Sequence, residues 1–443
     1  MNPLPAPGPA RRWDFPQIHR AHLDNGVQIA TIPLPGKTLC AAELVLDAGA
    51  TFDEVEGVSS LLARAFNEGT QRRDASAFAD ACESLGMQLS ASTSWDALTL
   101  SLTAPRSRLG ESLALLAEAA WTPSVPADGF GRIKRERLVQ IEQEKANPAN
   151  RATQEFPKHA YTRDSVYSRA IRGTAETVAA IRREDLVAAH EHMVSPGSAT
   201  LVVAGDVEPA WVLEQAGLAF GSFTRPETGR KVPTTTSAID ATRIVLLDRP
   251  GSVQTNLVIG HRGIERTHPD LDAIRVASYI LGGSFTSRIN QRLREEFGLT
   301  YGARAGFEPR RAAGPFRMTA PVQAPKAPEA IRETLQILRT FRDEGLTDTE
   351  HEASLDSLRG AFPLRFETTG AIAGAVADLA IYGLPDQDLQ AYPERIGAVT
   401  RQQANEAARA HLDPDRLLIV AVGPANEIRG ECEQIAPTMI ATD

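Results

Sequence analysis

The sequence is poor in cysteine, and its three thiols, Cys40, Cys82 and Cys432, stand far apart. So few and so scattered, they exclude a disulfide framework and a cysteine-based zinc site, and they fit a reducing compartment. Long apolar runs are also missing. No window approaches the ~20 apolar residues of a membrane span, and the longest apolar stretches, such as 417–422, have strand length. The first residues are proline-rich, and Trp13-Asp14 follows Arg11-Arg12 with no apolar segment. A secretory signal is therefore not expected. Residues 1–14 read as an irregular tail, and the cytoplasm is the default location.

Positive charge is in deficit, with 47 basic against 56 acidic residues and a formal charge of −9. A chain of that balance is a poor general phosphate binder, so no nucleic acid and no membrane are expected as partners. A phosphate-cradling loop is absent. Gly205 and Gly423 follow apolar stretches but lack the further glycines of a dinucleotide fingerprint. No serine sits in a nucleophile-elbow pattern. What remains is an ordinary soluble composition, 42% hydrophobic and 23% charged over 443 residues. At about 100–200 residues per domain, that length holds two to four domains.

Two segments look alike. Ser195-Pro-Gly-Ser-Ala-Thr-Leu-Val-Val-Ala-Gly205 and Asp413-Pro-Asp-Arg-Leu-Leu-Ile-Val-Ala-Val-Gly423 each carry proline nine residues before glycine. A helical pattern precedes each, over 183–193 and 402–411. Their prolines, Pro196 and Pro414, lie 218 positions apart, about half the chain. Residues 222–241 are polar and rich in Thr, Pro and Gly, the composition of a linker. The expected organisation is a domain over 15–221, a linker over 222–241 and a second domain over 242–435.

Within the first half, 27–33 and 41–46 read as strands, and 58–66 and 75–85 as helices, the latter capped by Gly86. Residues 88–94 and 97–103 alternate like a hairpin. Helices are expected over 107–119 and 128–146, the last stopping at Asn147-Pro148. Strands and helices come in runs. That pattern predicts an α+β fold, two homologous halves each with a mainly antiparallel sheet packed with helices.

The nine histidines offer little for a metal. His190 and His192 flank Glu191, but residues two apart on a helix diverge, so they read as a solvated helix end. His261 ends a strand, and His268 precedes Pro269 at a helix start. None of these clusters in sequence, and all read as structural.

The segment from 282 is richer: Gly282-Gly-Ser-Phe-Thr-Ser-Arg-Ile-Asn-Gln-Arg-Leu-Arg294-Glu-Glu-Phe-Gly-Leu-Thr-Tyr301. Paired glycines permit close backbone approach. A helix carries Ile289 and Leu293 on its buried face and ends at Gly298, and a strand is expected from about Leu299 with Tyr301 in it. The plain reading is an amphipathic helix with solvated arginines and a tyrosine packed on a sheet.

This motif resembles the C-terminal-half signature of the insulinase/pitrilysin-type zinc peptidases, family M16, and more narrowly its bacterial two-subunit and mitochondrial-processing members (M16B). Arg294 and Tyr301 match that family's arginine–tyrosine pair. Leu23-Asp-Asn-Gly26-Val27 resembles its opening strand, and Gly57 and Gly69-Thr70 resemble the residues bounding its zinc helix. The likeness spans most of 19–430 and implies two homologous α+β halves of the M16/LuxS-like kind. The departure lies on that helix. Where zinc-bearing members carry His-x-x-Glu-His, this chain has Ser60, Ala63 and Arg64. The later ligand stretch, Leu-Glu-Glu-Ile in the family, reads Leu138-Val139-Gln140-Ile141.

Zinc needs two imidazoles four apart and a carboxylate from elsewhere. Ser60 is a poor ligand, Ala63 is no base and Arg64 is a cation, so no metal and no cofactor is expected in this chain. The resemblance implies a non-zinc subunit of a heterodimeric peptidase. It would bind a peptide substrate and supply Arg294 and Tyr301 to a zinc-bearing partner. The alternatives are an inactive scaffold or assembly protein of the same fold and, with less support, catalysis at a different metal site. The acidic net charge points mildly to basic peptides.

Overall fold

The two segments that echo each other in sequence, Ala199–Gly205 and Leu418–Gly423, are strands buried along almost their whole length. Continuous apolar strands of this kind belong inside a sheet covered on both faces. The computed structural model describes residues 13–226 and 233–441. Its first sheet comprises β1 (His19–His22), β2 (Gln28–Pro33), β3 (Leu39–Leu46), β4 (Gln88–Thr93), β5 (Leu98–Pro105) and β6 (Ala199–Gly205). The second comprises β7 (Arg243–Asp248), β8 (Gln254–Arg262), β9 (Arg304–Phe307), β10 (Pro315–Gln323), β11 (Leu418–Gly423) and β12 (Thr438–Ala441).

The sheets run β1-β2-β6-β3-β5-β4 and β12-β7-β11-β8-β10-β9. Five strands of each follow one plan: β2, β6, β3, β5 and β4 match β7, β11, β8, β10 and β9 in order and in pairing. In both, the first two strands of that order, β2 with β6 and β7 with β11, pair in parallel, and the other pairs are antiparallel. Only the added edge differs, β1 antiparallel to β2 and β12 parallel to β7. The α+β fold of two similar, mainly antiparallel halves is as the sequence predicts. Of segment 222–241, residues 227–232 lie outside the described residues. Downstream of them, Ser237 bridges to Tyr161 and Ile239 is buried.

Helices tie the halves together by exchange. Pro148–Ala160, from the first half, packs on β8 and β11 of the second sheet. Thr369–Tyr382, from the second half, packs on β3 and β6 of the first. One apolar cluster accordingly mixes Val45 and Val202 with Ile372, Ala373 and Val376, and another joins Phe156 to Val258 and Val420. Asn147-Pro148 ends one helix and begins the next. The Asn147 carboxamide oxygen accepts from the N–H groups of Ala149 and Asn150 at 3.0 and 3.1 Å, and Pro148 occupies the first helical turn, where no N–H is needed. A polar anchor adds to this, as the Arg311 guanidinium pairs with Asp47 at 2.6 Å and donates to the Ile381 carbonyl at 2.7 Å.

The expected tail reaches less far than residue 14. Trp13 stacks on Phe366 at 5.4 Å beside Phe15 and Phe362. Its indole supplies apolar area that solvent would otherwise meet, and this docks the chain before β1 begins. No helix among the described residues is long and apolar enough to cross a membrane.

Candidate functional site

Two constellations face the chemistry that the sequence suggests. The first is the helix Val58–Ala65, which starts at Gly57 with φ +97°. A side chain there would come within 2.9 Å of the Gly173 Cα, so the backbone needs glycine on both counts. Buried Asp53 ties the helix start, accepting from the Ser59 N–H and hydroxyl at 3.0 Å each and from the Gly57 N–H at 3.3 Å. Burial pushes its carboxyl up to about 7, against the opposing pull of those hydrogen bonds.

On this helix Ala63 is buried, and Ser60 and Arg64 are half-buried. The Arg64 guanidinium stands 4.0 Å from the Glu136 carboxylate on helix Ala127–Ala146. Glu136 also pairs with Arg132 at 3.0 Å, and Arg132 with buried Glu68 at 2.5 Å. Alternating charges therefore join the two helices where zinc-bearing chains would have a metal. Gln140, one turn beyond Glu136, offers a neutral amide. A hydroxyl, a methyl, a guanidinium and an amide make no zinc-ligand set, because zinc calls for imidazole, thiolate or carboxylate donors. The residues present do not fit the metal.

The second constellation is the segment 284–303. It is built on Ile289 and Leu293, both fully buried, each stabilising the fold by about 1.5–3 kcal/mol. The backbone departs from a plain helix: Tyr279–Gly283 and Gln291–Glu296 are wide π-helical turns around the short helix Arg288–Asn290. Such turns recur at functional sites. Gly282 is required, since a side chain there would meet the Ala305 Cβ at 2.5 Å. Buried Asn290 holds the segment together. Its amide nitrogen donates to the Ser284 and Ala303 carbonyls at 3.0 Å each, and its oxygen accepts from the Ala303 N–H at 2.8 Å. Asn290 does not stand out in the sequence as a site residue. An asparagine interrupting an amphipathic pattern, at a position flanked by buried Ile289, was the available signal.

Arg294 lies in the second π turn. Its guanidinium covers the ring of Phe285 at 3.7 Å, and one nitrogen pairs with Glu295 at 3.0 Å. The other, Nη1, is buried and has no hydrogen-bond partner among the described residues. Tyr301 is 92% exposed and Phe285 70%. The tyrosine is thus not packed on a sheet, and it precedes the strand. Thr300 explains the late start of β9 at Arg304. Its hydroxyl donates to the Pro321 carbonyl at 2.6 Å and accepts from the Gly302 N–H at 3.1 Å, which draws 300–302 into a turn in place of a ladder. Asn290 and Thr300 thus fix the framework around Arg294 and Tyr301 and leave the phenol in solvent.

A cleft of about 600 Å³ opens between the halves. Arg137, Arg169 and Arg172 line it from the first half, Arg310 and Arg317 from the second, with Glu144 and Glu155 among its acids. Its basic side chains outnumber its carboxylates, although the chain as a whole is acidic. Arg137 holds the Glu144 carboxyl below its ordinary range through a 2.8 Å pair.

Two histidine expectations are corrected. His190 is no solvated helix end. It is buried, its Nε2 donates to the Ala120 carbonyl at 2.9 Å, and burial lowers its pKa to about 4. The histidines do cluster once: His268, Asp270 and His411 converge although 143 positions separate the outer two. All three thiols are free and buried.

Known proteins share this architecture. The sequence model of the insulinase family (peptidase family M16) matches residues 28–175, and that of the peptidase M16 inactive domain matches 180–358. An uncharacterised zinc protease, YmxG of Bacillus subtilis, is 23% identical over 90% of this chain and 97% of its own. A protein named non-peptidase homolog YmxG, of Helicobacter pylori, is 22% identical over 83% of this chain and 84% of its own. A crystal structure described as a peptidase M16 inactive domain from Pseudomonas fluorescens superposes with a TM-score of 0.85 at 26% identity. It covers 92% of this chain and 98% of that one. A Helicobacter pylori protease structure superposes at 0.86, with 20% identity, over 93% of this chain and 100% of that one. With two family models together spanning most of its length and a shared two-sheet architecture, the chain belongs to the insulinase-type peptidase family M16, as a member whose own zinc-motif positions lack the zinc-ligand set.

Proposed function

We propose that this chain is the substrate-binding, non-zinc subunit of a two-chain M16 peptidase, completing the site of a partner that carries His-x-x-Glu-His. One observation carries the reading. The phenol of Tyr301 is almost wholly exposed and Arg294 has a buried nitrogen with no partner among the described residues, both held by an ordered framework in a chain whose zinc-motif positions offer no ligand set. Groups so prepared have their acceptors outside the chain. In the partner's site a bound metal would supply an activated water. Tyr301 donates its hydroxyl proton as a hydrogen bond to the tetrahedral oxyanion, and Arg294 offers fixed donors to a substrate carbonyl or carboxylate. Stacking on Phe285 restrains the guanidinium before substrate arrives. The basic lining of the cleft favours acidic peptide segments over the basic ones that net charge suggested, because local charge governs local attraction.

The test is reconstitution. This chain alone is inert, the zinc-bearing partner alone is weak, and the mixture cleaves peptide. Tyr301→Phe lowers turnover of the mixture by about 10²–10³, the usual effect of losing an oxyanion donor. Unchanged turnover in both Tyr301→Phe and Arg294→Ala would remove the assigned roles. The scaffold reading keeps some support from the Helicobacter pylori relative's name as a non-peptidase homolog. It predicts stable assembly with a partner and no gain of cleavage on mixing.

A further inference from the structure

We infer that His268, Asp270 and His411 form a binding site for a late first-row divalent cation such as zinc, on the second half and independent of the vacated zinc motif. Each residue offers one ligand atom, and these lie within 4.8 Å of one another. Among the described residues it is the one group of three or more metal-ligating side chains so arranged. The carboxylate is the hub: Asp270 Oδ2 stands 2.8 Å from His411 Nε2 and 3.9 Å from His268 Nδ1. The two imidazoles meet edge to face, centroids 4.6 Å apart. The Asp270 N–H donates to His268 Nδ1 at 3.2 Å, a long hydrogen bond that a cation taken up by this nitrogen displaces. His411 Nε2 donates a hydrogen bond to Asp270 Oδ2; a cation takes the place of that proton, which leaves to solvent.

Two imidazoles and a carboxylate are the donor set of open zinc, iron and nickel sites. Bonds of about 2.0–2.2 Å place ligand atoms roughly 3.3 Å apart. The observed spacing straddles that value, and all three side chains are only half-buried, so small rotations close the site. A cavity of about 290 Å³ adjoins Asp270, walled by Pro269, Gln403, Glu406 and Ala407. A bound cation would staple the start of helix Leu271–Ser278 to the end of helix Arg401–His411, two elements that already pack together. The first of these helices runs directly into the π turn before Arg294, so the staple braces the segment carrying the arginine and tyrosine.

The experiment is equilibrium dialysis of the full chain, stripped by chelator, against zinc ions, with elemental analysis of the protein. One equivalent binds to the parent. His268→Ala and His411→Ala each raise the Kd by more than about tenfold, a lower bound given that even an outer-shell partner is worth that much. His22→Ala, exposed on β1, leaves binding unchanged. Asp270→Asn guards against misfolding, since its side chain makes no helix-capping hydrogen bond; it too loses zinc while its metal-free thermal midpoint stays with the parent's. Absence of stoichiometric zinc in the parent, or equal zinc in parent and variants, overturns the inference.

Discussion

Replacing Asp53 by asparagine isolates a contest between burial and capping. The carboxylate sits at the start of the helix that would bear zinc, accepting from two N–H groups and a hydroxyl. Helix N-termini favour an anion by about 0.3–1 kcal/mol. Burial opposes it and is the larger influence, raising the pKa from 3.8 to about 7. At about 1.36 kcal/mol per unit, the displacement amounts to ~4 kcal/mol. The sign follows from proton binding. Between about pH 4 and 7 the folded chain holds a proton that the unfolded chain has released, so stability falls as pH rises through that window and is flat above it. Asparagine cannot titrate. The stability of Asp53→Asn relative to the parent should therefore improve by up to ~4 kcal/mol from about pH 4 to pH 8, whatever constant offset the amide introduces. Urea unfolding of both chains across that range, followed by circular dichroism, measures the difference. A pH-independent difference, or one that moves in the parent's favour as pH rises, refutes the reasoning and gives the contest to the cap.

Two further outcomes are expected beside those of the reconstitution and zinc-dialysis experiments. Arg288 grips Glu350 with two 2.7 Å hydrogen bonds, and this holds the Glu350 carboxyl down to about 2. The pair's stabilisation is present above the ordinary glutamate range and is lost as pH falls toward 2, so Glu350→Gln costs about 1.5–3 kcal/mol at neutral pH and little near pH 2; equal losses at both would deny the pair its role. Restoring the ligand set with Ser60→His, Ala63→Glu, Arg64→His and Gln140→Glu, in a His411→Ala background, should create stoichiometric zinc binding measurable by elemental analysis. Failure of that well-folded variant to take up zinc would show that helix Ala127–Ala146 does not face the motif as the Arg64–Glu136 approach implies.

Much of the architecture was legible in the chain. Proline nine residues before glycine, twice, marked the paired central strands, because a strand buried on both faces must read as one apolar run. Alternation located the β4–β5 hairpin, and the residues at 60, 63 and 64 have no zinc-donor chemistry at the motif. Other features depended on contacts between distant residues. Nothing near Asn147-Pro148 reveals that the next helix crosses to the other sheet, since an apolar helix face does not specify which half buries it. Tyr301 read as a strand residue because a single Thr300 hydroxyl, bonded to Pro321, decides the turn. His190 looked solvated because two-residue spacing says nothing of the Phe66 ring and Ala120 carbonyl that enclose it. The sequence by itself determined the repeat, the fold class and the absence of zinc donors at the motif positions, all carried by local pattern and residue chemistry. Tertiary structure alone decided the exchange of helices, the exposure of Tyr301, the cationic cleft in an acidic chain and the meeting of His268 with His411, because each rests on proximity between segments that the chain order keeps apart.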